Sequence, residues 1–248
     1  MSYLREQLKW QLFPGTNLHA RLRWRILPGY FGDARPGETR RVLDAGCGNG
    51  MLSYRSCMKG NRVLGISIKE AEVARCRTLF NDYLGIGEER LAFRVHNIYD
   101  VEALDLQFDE IICTEVLEHI VRDEEVCRSF WKLLKPGGVL HLCSPNAEHP
   151  DNVAHERDEH EEGGHVRPGY TLDSFRALLE PIGFRIEATA GLGGPIRQFF
   201  NRRIIRLQES AGQAAGFALF FVALLFLWLD PAKPRLPYSI YVRAVKAL

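Results

Sequence analysis

The ten residues RVLDAGCGNG at positions 41–50 decide the fold, because an apolar strand sequence runs directly into a turn with three glycines. Glycine permits positive φ and close approach of a ligand to the backbone, and a helix that follows such a turn presents unpaired N–H groups to an anion. The stretch therefore predicts a small cofactor with an anionic group. The glycines stand at 46, 48 and 50, whereas the dinucleotide fingerprint G-x-G-x-x-G would place its third glycine at Met51. A nicotinamide dinucleotide is therefore disfavoured.

Outward from this turn, residues 41–146 alternate short β-branched runs with longer helical patterns. This alternation is typical of βαβ units and predicts an α/β protein with a Rossmann-like, doubly wound sheet. The proline and glycines of Lys135-Pro136-Gly137-Gly138 should end the third helix. The predicted strands are 41–45, 62–67, 91–97, 108–115, 139–144, 184–190 and 238–245, and the predicted helices are 51–59, 69–83, 123–134 and 171–180.

Three further segments follow the glycine turn in a fixed order: FDEIICTEVLEHI at 108–120, LKPGGVL at 134–140 and SPN at 144–146. With these motifs, the chain from about residue 40 to 190 and at its last strand resembles the class I S-adenosylmethionine-dependent methyltransferases, including methyltransferase type 11 and the ubiquinone-biosynthesis O-methyltransferases. The resemblance implies seven strands with the last one antiparallel, and a glycine turn that holds the methionine end of S-adenosylmethionine. The cofactor-binding residues that it implies are Asp44, Gly46, Cys47, Gly48, Gly50, Ser67, Ile68, Asn97, Ile98 and Glu115.

Two positions depart from the family pattern. Ser67 stands where relatives usually have an acidic residue for the ribose hydroxyls, and serine offers only one hydroxyl. Ser67-x-x-Glu70 also fits a capping box at the start of the next helix, and we expect capping to be its main role. His96-Asn97 stands where relatives often have Gly-Asp beside the adenine, and the Asn97 side-chain carbonyl can still accept from an exocyclic amine.

Candidate catalytic residues follow the fourth predicted strand, at the edge where open α/β sheets bind ligands. His119 is the first candidate for a general base, although Glu118-His119 could instead be a structural pair that orients the loop. Glu115-x-x-Glu118-His119 with the later Gly163-Gly164-His165 resembles the pattern of the ubiquinone-biosynthesis and small-RNA 2′-O-methyltransferases. That resemblance implies a divalent cation, Mg²⁺ or Mn²⁺, on Glu115, Glu118, His119 and His165, whereas many metal-free relatives share a similar motif. Glu118, His119 and His165 are therefore the candidate catalytic set, with or without a metal.

The composition excludes several classes of protein. The 248 residues are 46% hydrophobic and 25% charged, which is typical of one large globular domain or of one domain with an appendage. A balance of 32 basic and 31 acidic residues disfavours a nucleic acid as partner. Six cysteines without CxxC spacing predict reduced, buried thiols, and charges in the first residues disfavour a signal peptide, so we expect a cytoplasmic protein. The acidic segment 148–162 is interpreted as a solvated loop, with a lid over the substrate as the alternative.

Residues 192–237 form an insertion where the fold needs only a short connection. Residues 195–210 predict a basic amphipathic helix, and the uncharged stretch 211–229 reaches the length at which a membrane span is considered. A single crossing would place the last strand on the wrong side of the membrane. The open alternatives are helices that dock on one leaflet, a lid over an apolar substrate pocket, and an oligomer interface. The aromatic and basic residues of the N-terminal segment indicate either a membrane interface or helices packed on the core; they are Lys9, Trp10, Phe13, Arg21, Arg23, Trp24, Arg25, Tyr30 and Phe31.

These patterns predict an N-terminal helical cap at 1–36, a methyltransferase domain at 37–191 with 238–248, and a hydrophobic helical insertion at 192–237. The predicted function is O-methylation of a lipophilic or membrane-presented small molecule, such as a quinone-like phenol or a lipid-linked intermediate. The alternatives are methylation of a sugar or polysaccharide precursor and a non-catalytic, cofactor-binding scaffold at a membrane. We expect peripheral contact with the inner face of the membrane through 196–229, and the oligomeric state stays open.

Overall fold

Seven strands form the centre of the protein, and helices cover both faces of the sheet. A computed structural model describes residues 15–154, 161, 163–212 and 214–247. The strands are β1 (Arg41–Ala45), β2 (Arg62–Ser67), β3 (Leu91–Val95), β4 (Phe108–Thr114), β5 (Leu134–Pro145), β6 (Phe184–Leu192) and β7 (Ser239–Lys246). The α-helices are α1 (Leu18–Ile26), α2 (Met51–Cys57), α3 (Glu70–Cys76), α4 (Asp123–Leu133), α5 (Pro150–Val153), α6 (Leu172–Leu179), α7 (Pro195–Ala211) and α8 (Ala215–Phe226).

The strand order is β3-β2-β1-β4-β5-β7-β6. Strands β1 to β5 pair in parallel, and β7 is antiparallel to both of its neighbours, β5 and β6. The predicted doubly wound, seven-stranded sheet with an antiparallel last strand is confirmed. Because β1 to β5 run in one direction, the loops that follow them meet at one edge of the sheet, which we call the carboxyl edge.

Two hydrophobic clusters, one on each face, hold the helices to the sheet. The first includes the fully buried Phe130 of α4 and Phe175 of α6, and the second includes Phe80, Phe93 and Leu22 of α1. All six cysteines are free and buried, as predicted for reduced thiols. The sheet therefore has the two-sided cover typical of α/β proteins.

Most boundaries agree with the predictions, and each difference has a local cause. The strand predicted at 91–97 ends at Val95, because the Asn97 side chain caps a 3-10 helix at Ile98–Leu104. The strand predicted at 108–115 ends at Thr114, because Glu115 has a φ of 55°. Helix α4 ends at Leu133 and β5 begins at Leu134, so the predicted stop is confirmed, and the strand continues through Lys135-Pro136-Gly137-Gly138. The helix predicted at 69–83 is α3 followed by a π-helical segment at Arg77–Tyr83.

The insertion folds into α7 and α8 and packs against α1. The Asn201 side chain of α7 accepts from the Leu18 N–H at 2.9 Å, and Leu18, Ile204, Phe220 and Ala223 form a small buried cluster. Asp230 accepts from three N–H groups at the start of α7, those of Gly194, Ile196 and Arg197, at 3.0–3.1 Å. The N-terminal helix and the insertion are therefore joined by buried contacts, and the division of the chain into three units stays a prediction.

The apolar surface of α8 is only partly covered. Phe220 is fully buried, whereas Phe221 is 58%, Leu225 69% and the following Trp228 79% exposed. None of the helices among the described residues has both the length and the apolar content that crossing a bilayer requires.

The aromatic residues of the N-terminal segment that the structure describes lie against the core. Phe31 is 3% exposed, and Trp24 and Tyr30 pack against the second hydrophobic cluster, the one that contains Leu22 of α1. These three residues therefore pack on the core, which agrees with one of the two alternatives, and membrane contact of the N-terminal segment stays a prediction. Lys9, Trp10 and Phe13 lie outside the described residues, as do residues 155–160 and 162 of the acidic segment 148–162.

Candidate active site

The glycine turn after β1 needs glycine at each of its three positions, for different reasons. The N–H groups of Gly46 and Cys47 both donate to the Ile66 carbonyl at 2.9 Å, which holds the turn against β2. A Cβ on Gly46 would lie 2.3 Å from a methyl carbon of Val116, and one on Gly50 would lie 2.6 Å from the Phe80 ring. Gly48 has a φ of 53° and open space where its Cβ would stand. The turn therefore leaves its middle glycine bare, and a ligand can approach the backbone there.

Asp44, at the end of β1, lies beneath this turn. Its side chain is buried, and the Ser53 hydroxyl of α2 donates to its Oδ2 at 2.5 Å. Burial raises the pKa of Asp44 to about 6, and the hydrogen bonds from Ser53 oppose this rise. Asp44 thus joins strand β1 to helix α2 and brings a negative charge beneath the glycine turn.

Ser67 does not form the predicted capping box. Helix α3 begins at Glu70 with Lys69 as its N-cap and has no side-chain cap. The Ser67 hydroxyl accepts from the Lys69 N–H at 3.1 Å and donates to the Glu72 carboxylate at 2.7 Å. The prediction is wrong because Lys69 is the N-cap, so Glu70 is the first residue of the helix and not the third, as a capping box on Ser67 requires. This pair places a carboxylate beside the end of β2, where the sequence pattern had indicated only a hydroxyl.

The remaining predicted cofactor residues lie at the same edge. Ile68 follows Ser67 and is 63% exposed, so its side chain is available to a ligand. The Asn97 side-chain oxygen accepts from the Tyr99 N–H at 3.0 Å, and Ile98 is buried. Cys47 is buried within the turn. Asn97 therefore uses its carbonyl for a local cap, which leaves its amide group for other partners.

Glu115 follows β4 in a left-handed conformation and pairs with the first helix. Its Oε2 lies 3.2 Å from the Arg23 guanidinium, and the Ser239 hydroxyl donates to its Oε1 at 3.4 Å. The Glu115 N–H donates to the Cys143 carbonyl at 2.7 Å. Arg23, which the sequence analysis assigned to the membrane or the core, is thus an ion-pair partner at the carboxyl edge.

Glu118, His119 and His165 form a compact group. Their potential ligand atoms all lie within 4.8 Å of one another. The His119 ring lies edge-on to the His165 ring, with centroids 4.7 Å apart, and its Nδ1 lies 2.7 Å from the Gly164 carbonyl oxygen. Two segments that are distant in sequence therefore meet here, as predicted. The fourth predicted ligand, Glu115, is not part of this group.

The carboxyl of Glu118 is the least exposed part of the group. Burial raises the pKa of Glu118 to about 8, with a further rise from the nearby Glu115 carboxylate. The Ser144 hydroxyl donates to Glu118 at 3.0 Å, and the Glu118 backbone carbonyl accepts from the Val166 N–H at 2.9 Å. Burial therefore favours the protonated form of this carboxyl relative to an exposed glutamate.

Two aromatic side chains near the site were missed by the sequence analysis. His19 stacks on Tyr238 with ring centroids 4.1 Å apart, and its Nε2 is hydrogen-bonded to the Gln198 side chain. Burial lowers the pKa of His19 to about 3, so its ring is neutral. The spacing His19-x-x-x-Arg23 places both residues on one side of a helix and is the signal that could have identified them together.

The fold and the glycine turn define a class of protein, and comparison with known proteins names it. Residues 37–177, more than half of the chain, match the family described as "Methyltransferase domain". The chain belongs to this family, the class I S-adenosylmethionine-dependent methyltransferases, whose methyl donor is S-adenosylmethionine. The bare backbone at Gly48 fits such a donor, because open space lies in front of it.

Curated relatives match the chain over part of its length. A ubiquinone biosynthesis O-methyltransferase of Pseudomonas aeruginosa (strain UCBPP-PA14) is 37% identical over 121 residues, which are 46% of this chain and 48% of the relative. A protein of the same name from Dechloromonas aromatica (strain RCB) is 35% identical over 113 residues, 43% of this chain and 45% of the relative. The matched region thus spans about half the length of these curated relatives.

Solved structures extend the likeness of the fold to nearly the whole chain. The magnesium protoporphyrin IX methyltransferase of Synechocystis PCC 6803 with bound S-adenosylmethionine has a TM-score of 0.52 at 17% identity, over 98% of this chain and 82% of that one. The [4+2]-cyclase SpnF has a TM-score of 0.60 at 18% identity, over 94% of this chain and 81% of that one. Since one neighbour is named a methyltransferase and the other a cyclase, this likeness describes the fold and leaves the acceptor open.

Proposed function

We propose that the protein transfers the methyl group of S-adenosylmethionine to an oxygen atom of a lipophilic or membrane-presented small molecule, such as a quinone-like phenol or a lipid-linked intermediate. The observation that carries this proposal is the exposed apolar surface of α8 and the residues after it, which includes Phe221, Leu225 and Trp228. Soluble monomers rarely expose apolar patches of this kind without a use for them. The ubiquinone biosynthesis O-methyltransferases among the relatives support the choice of oxygen as acceptor.

In this proposal the donor lies across the carboxyl edge, with its methionine part at Gly46–Gly50. Glu115 would face the ammonium group of the methionine part, and Arg23 beside it would face the carboxylate, since each has the opposite charge. Ser67 with its partner Glu72 would reach the ribose, and Ile68, Asn97 and Ile98 would border the adenine. Asp44 and Cys47 would shape the turn from beneath.

Methyl transfer is an in-line displacement at the methyl carbon. The acceptor oxygen forms a bond to that carbon as the carbon–sulfur bond breaks, and S-adenosylhomocysteine leaves with the electron pair. The chain's task is to align the two reactants, to exclude water and to take the proton of the acceptor hydroxyl. We assign the proton to His119, because its Nδ1 faces a carbonyl oxygen and therefore carries the hydrogen in the neutral ring, which leaves Nε2 free to accept.

Glu118 and His165 complete the catalytic proposal. The Glu118 Oε1 lies 4.0 Å from the His119 Nε2, and the His165 ring supports the His119 ring. A substitution of His119 by glutamine should lower kcat by about 100-fold, the usual size of a general-base effect, with little change in donor affinity. Loss of donor affinity in proportion to rate would instead place His119 in the cofactor site.

A divalent cation is a second proposal for the same group. One carboxylate and two imidazoles within 4.8 Å of one another suit Mn²⁺ better than Mg²⁺, which prefers oxygen ligands. Such an ion would bind Glu118, His119 and His165 and polarise the acceptor oxygen, with Glu115 held away by Arg23. The test is methyltransferase activity after exhaustive chelation. Full activity would exclude the divalent cation from the reaction, and recovery of lost activity with Mn²⁺ alone would support it.

The lipophilic acceptor is tested with pairs of phenols that differ only in an isoprenoid side chain. The proposal expects the prenylated phenol to have a kcat/KM at least about tenfold higher, which corresponds to burial of a few methylene groups. Equal values for the two phenols would contradict it. Mass spectrometry of small molecules that copurify with the protein provides an independent search for an apolar ligand.

Membrane contact is tested by flotation with anionic phosphatidylglycerol vesicles. Phe221 and Leu225 are exposed, so the double variant Phe221→Ser/Leu225→Ser should fold normally and float less. The matched control is Met58→Ser/Val153→Ser, which removes two apolar side chains that are 47% and 51% exposed elsewhere. If both variants float equally, α8 does not contribute to membrane contact, and this part of the proposal is wrong.

A further inference from the structure

A groove of about 770 Å³ runs beside α1. Its lining residues come from α1, from α2, and from the end of α8 with the residues that follow. Arg21 and Arg25, four residues apart, project from the same side of α1 into the groove. Arg23, between them, projects from a different side and pairs with Glu115. The groove therefore lies on a different flank of α1 from the reacting groups.

The walls of the groove are apolar and unusually exposed on one side. The apolar lining residues include Trp24 and Ile26 of α1, and Leu224, Leu227 and Trp228 of the insertion. Trp228 is 79% exposed and Leu224 is 40% exposed. A volume of this size is typical of sites for small organic ligands, and the walls suit a hydrocarbon chain.

The charges that border the groove are nearly all positive. Arg21, Arg25, Arg55 and Arg197 line it, and Asp230 is the only carboxylate among those lining residues that belong to the described part of the chain. Asp230 accepts from the first N–H groups of α7 and lies 3.5 Å from Arg197. Its negative charge is therefore already paired with these groups. Among the described residues, Arg25 and Arg55 make neither a hydrogen bond nor an ion pair. Two exposed guanidinium groups are thus available to an anion at the border of an apolar groove.

Like charges also act on one another here. Burial lowers the pKa of Arg197, the Asp230 carboxylate opposes this, and the positive charge of Arg25 lowers it further. Burial also lowers the pKa of Arg21. A bound anion would relieve this repulsion, because it adds the negative charge that the groove lacks.

We propose that this groove binds an anionic amphiphile, with its phosphate or carboxylate head on Arg25 and Arg55 and its single alkyl or isoprenoid chain against Trp24, Leu227 and Trp228. The guanidinium groups match the head by charge and by their paired N–H donors, and the walls match the chain. The same chemistry is offered by a free amphiphile and by a lipid of an anionic membrane. We assign the free amphiphile, because the site is a groove with walls on both sides instead of a flat surface. The proposal shares Trp228 with the apolar surface that supports the proposed function, but it concerns binding in the groove and does not depend on methyl transfer to any acceptor.

The test is calorimetric titration of the whole chain, without methyl donor, with octyl phosphate below its micelle concentration. One saturable site is expected, and Arg25→Gln/Arg55→Gln should weaken it by about tenfold or more, as for loss of charge-assisted hydrogen bonds. The control Arg62→Gln/Arg75→Gln makes the same change in net charge at two exposed arginines outside the groove and should leave the affinity unchanged. Trp228→Ser, at an exposed position, should weaken binding of octyl phosphate through the chain.

Three results would overturn the proposal. Inorganic phosphate with the affinity of octyl phosphate would mean that the chain contributes nothing and the site is a plain anion site. Octyl glucoside with the same affinity would mean that the arginines contribute nothing. Binding to phosphatidylglycerol vesicles without binding of octyl phosphate would assign these charges to a membrane surface. Because no methyl transfer is measured, failure of the titration leaves the proposed acceptor untouched, and failure of the acceptor leaves the titration valid.

Discussion

Replacement of Asp44 by asparagine should change how the stability of the protein depends on pH. Burial raises the pKa of this carboxyl from 3.8 to about 6, so the folded state binds the proton more tightly than the unfolded state. The stabilising contribution of the protonated carboxyl is complete below the unfolded pKa and is lost as the pH rises through about 6. The difference between the two pKa values corresponds to about 3 kcal/mol once the group is ionised in both states.

Part of this free energy falls in a range of pH where unfolding can be measured. Between about pH 5 and pH 8, linkage assigns about 1.4 kcal/mol of the loss to Asp44. The variant Asp44→Asn keeps an oxygen that can accept from Ser53 but has no charge to lose. Its free energy of unfolding should therefore rise relative to the natural protein by about 1.4 kcal/mol between these two pH values. Any packing cost of the amide is the same at both pH values, so it cancels when the two free-energy differences are compared.

The assay is urea unfolding of the donor-free protein at several pH values between these limits. Glu118 and the other titrating groups affect both proteins alike, so only the difference between the two curves is used. The control is Asp82→Asn, which makes the same change from carboxylate to amide at an exposed position. A difference for Asp44→Asn that stays constant, or that falls as the pH rises, would refute the account of Asp44 as a buried charge that the fold tolerates at a cost.

Three further outcomes follow from close contacts. Gly46→Ala should weaken binding of S-adenosylmethionine by at least about tenfold, because a Cβ would lie 2.3 Å from Val116 at a φ of 80°; calorimetry that finds unchanged affinity would contradict the assignment of the turn. Asp230→Asn should lower the free energy of unfolding by about 1–2 kcal/mol through loss of the charged cap of α7, which denaturant unfolding measures. Phe220→Ala should lower it by about 3–5 kcal/mol, because the side chain is fully buried against Leu18; a much smaller loss in the same assay would mean that α8 is only loosely attached.

Local sequence determined the elements and the glycine turn. The ends of β1 and β2 agree with the sequence prediction, because β-branched runs and glycines act through neighbouring residues. The role of the glycines at 46, 48 and 50 could also be predicted from the sequence, because the backbone conformation and close approaches that they permit are properties of the turn itself. The meeting of Glu118 and His119 with His165 was proposed from sequence through a family resemblance, and the structure places these residues together.

Tertiary structure decided the partners of the charged groups. Nothing near Arg23 in the sequence indicates that it pairs with Glu115, 92 positions away, or that Asp230 caps a helix that begins 35 residues earlier. Ser67 donates to Glu72 and does not cap the helix as predicted, because the helix begins after Lys69. Side-chain ion pairs and caps depend on which surfaces pack together, and periodicity along the chain carries no information about that. The sequence therefore determined a methyltransferase fold with its glycine turn, and only packing of the N-terminal helix against the insertion decided which arginine faces the active site and which ones border the groove.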